Sequence, residues 1–162
     1  MPFMEMLFLD DGRIIRPCGV DDLESVSEMV LKEAQRSISD DFDDTGWRDF
    51  EEYLSADQLL KRLVTGSKGL IVQEVDNSIS GYIEVLETQV LLLFITERAQ
   101  RLKLASRLLD RVRDTLDLRE LYVNSSTAGY AFYQEKQFEP MEGWKQEAGV
   151  KYRPLKWQKE KE

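Results

Sequence analysis

The sequence predicts an α/β domain in which a mixed sheet is flanked by helices. Three observations carry this. Residues 69–95 hold three consecutive apolar or alternating runs, the pattern of a strand meander. Residues 97–118 place Ala105, Leu108, Leu109, Val112 and Leu116 on one face of a 3.6-residue period. Strand and helix patterns then alternate to the C-terminus, which adds parallel pairing to the meander.

Taken in order, Arg13–Cys18 reads as a short strand, with Ile14 and Ile15 apolar and Pro17 closing it. Asp21 and Asp22 offer cap oxygens to a helix running to about Arg36, whose Leu23, Val26 and Val30 share a face. Residues 37–55 have weak periodicity and read as a loop with a helical turn or two, anchored by Phe42, Trp47, Phe50 and Tyr53. Ala56–Val64 reads as a second helix, stopped by Gly66 and Gly69. Strands Gly69–Val75 and Ile79–Leu86 flank the turn Asp76-Asn77-Ser78. Thr88–Ile95 is continuously apolar, as in a strand covered on both faces. Helix Glu97–Leu118, strand Glu120–Asn124 and helix Thr127–Lys136, with Thr127 as cap, follow. Phe138–Met141 and Val150–Trp157 close the sheet, and Lys159–Glu162 should fray. The order is β-α-α-β-β-β-α-β-α-β-β, with no internal repeat or linker, so residues 1–162 are expected to form one domain.

Composition narrows the function. The 162 residues suit one domain. The longest apolar run, Val90–Ile95, is far too short to span a bilayer. Met1–Leu9 has no basic residue of the kind that opens a signal peptide, so a cytoplasmic setting is expected. Cys18 is the only cysteine, which excludes an intrachain disulfide and a paired-cysteine metal site. It reads as a small partly buried side chain rather than a nucleophile. Histidine is absent, which removes His-dependent nucleophile activation and most zinc sites, and no metal is expected. Proton transfer must then use Glu, Asp, Tyr, Lys, a terminus or water.

The net charge of −9 disfavours general nucleic-acid binding. It is unevenly spread. Residues 37–57 carry eight acids and one base, whereas 97–113 carry six bases and two acids. Two ligand surfaces of opposite sign, or two solvated faces, would both give this pattern. Arg98, Arg101 and Lys103 sit at the start of the clearest helix. A helix start is already electropositive, so basic residues there favour an anionic ligand.

The order of elements and three segments resemble the GNAT superfamily of acetyl-CoA-dependent N-acetyltransferases. IIRPCGVDDLESVSEMV is similar to the family's first strand and helix, VLLLFITERAQRLKLASRLLDRV to its cofactor motif, and VNSSTAGYAFYQEKQF to its closing segment. The resemblance covers nearly the whole chain. It implies a mostly antiparallel central sheet of about six to seven strands with about four helices and a splayed central strand pair.

The family's Q/R-x-x-G-x-G/A loop grips the CoA pyrophosphate with backbone amides. It maps onto Gln100, Arg101, Leu102, Lys103, Leu104 and Ala105, followed by Ser106. Lys103 replaces the first glycine, and right-handed helical dihedrals would suit a lysine there. Leu93, Phe94 and Ile95 would line the splay beside the pantetheine arm, with Asn124 and Phe132 also on the cofactor. Tyr133 matches the tyrosine that protonates the departing thiolate; the alternative is a core aromatic with a satisfied hydroxyl. Gln137 replaces the usual glycine before the closing Phe138.

The position some members give a strand glutamate is Gln89 here, which leaves Glu84 and Glu87 as candidate bases, direct or through water, or as ordinary strand residues. The resemblance further implies acetyl-CoA as cosubstrate, a small cationic or peptide amine as acceptor steered by the acidic segment, no membrane partner and a possible homodimer. The rival within the fold is a catalytically degenerate CoA-binding sensor or interaction module. A ligand-free structural dimer subunit is a third reading.

Overall fold

The structure is a computed structural model that describes residues 5–160. Its elements are β1 Leu7–Phe8, β2 Ile14–Pro17, α1 Leu23–Ser37, α2 Asp44–Tyr53, α3 Ala56–Thr65, β3 Lys68–Gln73, β4 Ile79–Leu86, β5 Gln89–Ile95, α4 Leu104–Thr115, β6 Glu120–Ser125, α5 Tyr130–Glu135, β7 Glu139–Pro140, β8 Lys145–Glu147 and β9 Val150–Gln158. Short 3-10 turns precede α1, α2 and α4. Strands β1 to β5 pair antiparallel in sequence order, β5 pairs parallel with β6, and β9 lies between β6 and β7. The expected mixed, mostly antiparallel sheet is present. It has nine strands among the described residues, because the two-residue β1 and the three-residue β8 are too short to leave a periodic signal.

Strand alternation divides the core between the two faces of the sheet. On β3, Leu70 and Val72 face a cluster with Leu108, Leu109 and Val112 of α4, while Ile71 faces Val26, Val30 and Leu59 of α1 and α3. Gly66, at φ 141°, ends α3 in a backbone geometry that a side chain would strain.

Three expectations are corrected. The acidic segment is not mainly loop: ten of its residues form α2. The Asp43 side chain caps that helix by accepting from the Gly46 amide at 2.7 Å. Its apolar face is short, so the pattern is dominated by acids. Phe42, Trp47, Phe50 and Tyr53 form one aromatic chain, with successive centroids 5.0–6.3 Å apart.

The helix expected over 97–118 is broken at Lys103. A 3-10 turn, Glu97–Leu102, ends there and α4 begins at Leu104. Lys103 itself is left-handed, at φ 58° and ψ 29°, not right-handed. The third correction is Thr127. It does not cap a helix, since α5 starts at Tyr130, and its amide and hydroxyl are instead donated to Asp41.

A buried ion pair ties the two helices over one face to the sheet. Glu84 of β4 is fully buried and accepts from the Arg62 guanidinium at 2.7 and 3.2 Å, the Ser67 hydroxyl at 2.9 Å and the Tyr82 phenol at 2.8 Å. Arg62 also donates to the Tyr53 carbonyl at 2.8 Å and lies 3.8 Å over the Tyr53 ring. The cluster thus joins α2, α3, β4 and the residue just ahead of β3.

Two outcomes follow for stability. Arg62→Ala strands the Glu84 carboxylate and should cost about 3–5 kcal/mol, read from the urea midpoint. Lys103→Gly and Gln137→Gly (Gln137 is also left-handed, at φ 70°) should each raise stability by about 1 kcal/mol in the same measurement, because the left-handed region strains a residue with Cβ.

Candidate active site

The site originates in an incomplete strand pairing. Strands β5 and β6 are matched only at Gln89 with Tyr122 and Val90 with Val123. On its other edge β5 stays paired with β4 to Ile95, but the register slips: Glu84 faces Leu92 and Val85 faces Val90, so Leu91 is an extra residue. A bulge bends its strand. This one falls directly after the last β5–β6 pair, and beyond it the strands diverge. The β6-facing edge of β5 over residues 91–95 is left without a strand partner.

The gap opens into a cleft of about 970 Å³. Leu91, Leu93 and Phe94 line it and are only half-buried, although the continuous apolar run had suggested cover on both faces. The second face of that run is the cleft wall. Ile95 lines it too, and its carbonyl accepts from the Gln100 side chain at 3.1 Å. Gln100 and Ala105 reach the cleft.

The rest of the predicted loop is divided in its roles. Leu104 is buried in the core, the Ser106 hydroxyl accepts from the Lys136 ammonium at 2.8 Å, and Arg101, Leu102 and Lys103 are exposed. Helix α4 has no side-chain cap. Its first bond runs from the Arg107 amide to the Lys103 carbonyl at 3.2 Å. The amides ahead of Arg107 at the helix start are therefore available, with the positive end of the helix behind them.

Asn124, Phe132 and Tyr133 line the opposite wall. Tyr133 is buried, its ring held edge-on between Phe132 and Phe138 at centroid distances of 5.2 and 5.3 Å. Its phenol makes no hydrogen bond to the described residues, and burial raises its pKa above the ordinary phenol value. Glu84 and Glu87 are not brought into this site. Glu84 is engaged in the buried ion pair, and Glu87 is exposed in the β4–β5 turn, at φ 53°. Cys18 is also apart from the cleft, and burial raises its thiol to about 12, which suits an inert side chain.

The other end of the cleft is acidic and aromatic. Four carboxylates, Glu33, Asp41, Asp49 and Glu147, line it against the two bases Arg36 and Lys151. Arg36 is held by Glu33 at 2.8 Å and Glu97 at 3.2 Å. Phe42, Phe50 and Tyr53 supply the apolar surface. A seam closes this end: Phe42 bridges Val150, the Asp43 amide donates to the Gly149 carbonyl at 2.9 Å, and Gly46 packs so tightly on Gly149 that a Cβ there would strike its carbonyl. Sequence reasoning placed acid and aromatic residues near this end. It missed Glu33, Glu147 and Tyr152, because the first reads as a helix residue and the β8–β9 hairpin carrying the others has no motif.

No helix among the described residues is long and apolar enough to cross a membrane. No curated protein matches the sequence. Among solved structures, a GCN5-related N-acetyltransferase from Rhodopseudomonas palustris is similar with a TM-score of 0.73 at 12% identity, covering 96% of this chain and 98% of that one. The PaiA N-acetyltransferase from Thermoplasma acidophilum, in complex with coenzyme A, gives 0.72 at 16%, covering 91% and 99%. Spermidine/spermine N-acetyltransferase SpeG from Vibrio cholerae gives 0.63 at 15%, covering 90% and 93%. At these identities the likeness is one of fold. The family model for the acetyltransferase (GNAT) domain matches residues 38–159, and by that match over most of its length the chain belongs to the GNAT acetyltransferase family.

Proposed function

We propose that the chain is an N-acetyltransferase that moves an acetyl group from acetyl-CoA to the primary amine of a small cationic molecule or peptide, by direct attack in a ternary complex. The observation that carries this is Tyr133: a buried phenol with no hydrogen bond to the described residues, set on the wall of the cleft opened by the β5 bulge. The phenol oxygen bonds no described residue and faces the cleft, so it is free to meet a ligand atom there. The unpaired edge of β5 would take the amide groups of the pantetheine arm. The start of α4, with Arg101 and Lys103 exposed beside it, would take the pyrophosphate.

In this reading Tyr133 holds its proton at Oη and gives it to the departing sulfur as the C–N bond forms and the C–S bond breaks. The amine's proton leaves through water to a carboxylate lining the cleft, since Glu84 and Glu87 stand away from it. The acidic end would draw in a cationic acceptor. SpeG, of like fold, is named for such an amine.

Isothermal titration with acetyl-CoA and desulfo-CoA should show binding at submillimolar concentration, and an amine panel should then release free thiol. No binding sinks the reading, whereas binding with no thiol release supports a CoA-binding sensor. Tyr133→Phe should lower kcat by about a hundredfold and leave acetyl-CoA affinity unchanged; unchanged turnover removes the phenol from the reaction. The acid works while protonated, and burial moves its deprotonation upward. The kcat profile should therefore show no alkaline fall from this group up to about pH 10, the ordinary phenol value.

A further inference from the structure

We infer that Asp41 is the carboxylate that binds an ammonium group of the acceptor, which makes the ligand of the acidic end a slender primary alkylammonium. This deepens the acetyltransferase reading and rests on it for the word acceptor, but the binding claim stands on its own geometry.

Asp41 is 8% exposed and lines the cleft. Its two oxygens accept from the Thr127 hydroxyl at 2.7 Å and the Thr127 amide at 2.8 Å. Both donors are neutral. No Lys or Arg forms an ion pair with Asp41 among the described residues, unlike Glu33 and Glu84. A buried carboxylate is ordinarily paired with an opposite charge, and the cleft is where Asp41 can meet one. Each carboxylate oxygen keeps a lone pair beyond its bond to Thr127.

Two independent features point to the same ligand. Tyr133, 7% exposed, lines the same cleft and its hydroxyl bonds no described residue, so it is open to a ligand there. Phe42 and Phe50, which follow Asp41 along the wall, offer ring surface suited to an alkyl chain and to cation–π contact. The seam sets the width. Backbone bonds join residues 42–43 to 149–150, and Gly46 and Gly149 touch without room for a Cβ. A thin chain fits such a closed end, and a folded protein surface does not.

Asp41 also ties the segment before α2 to the turn that leads into α5, so a structural effect has to be separated from recognition. Isothermal titration of the full chain with 1,8-diaminooctane and with the neutral 1,8-octanediol does this, using Asp41→Asn and Thr127→Val. The diamine should bind and the diol should not. Asp41→Asn should weaken the diamine at least about tenfold, as for one charge-assisted hydrogen bond. Thr127→Val removes the hydroxyl half of the tie, leaves the amide half and keeps the charge, and should shift affinity by less than about threefold.

No diamine binding to the native chain, equal binding by Asp41→Asn, or an equal loss with Thr127→Val overturns the assignment. Diamine binding through Asp41 without any acetyl-CoA binding would sink the acetyltransferase reading alone. Acetyl transfer with an unchanged KM in Asp41→Asn would sink this inference alone.

Discussion

Everything distinctive about the molecule depends on one extra residue in a ladder. Leu91 has no partner in β4, and the strand bends where it sits. Without the bend, β5 and β6 could continue their parallel pairing past Val90 and Val123, and the cleft would be filled by sheet. With it, the centre of a well-packed sheet carries an open edge. Exposed strand edges invite pairing, and a central edge that is enclosed by helices can be reached only by a ligand thin enough to enter. The fold therefore turns a local packing fault into the open wall of a cleft.

The buried cluster at Glu84 holds the frame around that fault. Glu84 lies on β4 beside the bulge, and its partner Arg62 carries the Tyr53 ring, which lines the cleft. The wall of the acidic end is thus braced from the interior. That explains why an acid on the strand next to the site does not line the cleft. A carboxylate already accepting four hydrogen bonds has little capacity left for an amine proton.

How much of this was legible in the sequence depended on the range of the interaction. Helices α1, α3 and α4 and the meander β3 to β5 were readable because their apolar periods are local. The positions of Leu93, Phe94 and Tyr133 were readable through family motifs. Helix α2 was not, because its acids outnumber its apolar face and its stability comes from the Asp43 cap and from aromatic contacts. The pairing of Asp41 with Thr127 spans 86 positions, and no sequence period records such a contact. The bulge was also hidden, since Leu91 is one leucine among three in a row and only the register of the neighbouring strand distinguishes it.

Lys103 and Gln137 carry side chains, and both hold a left-handed backbone. Glycine enters such a backbone without strain, so the fold is already shaped to accept it at either place, one substitution away.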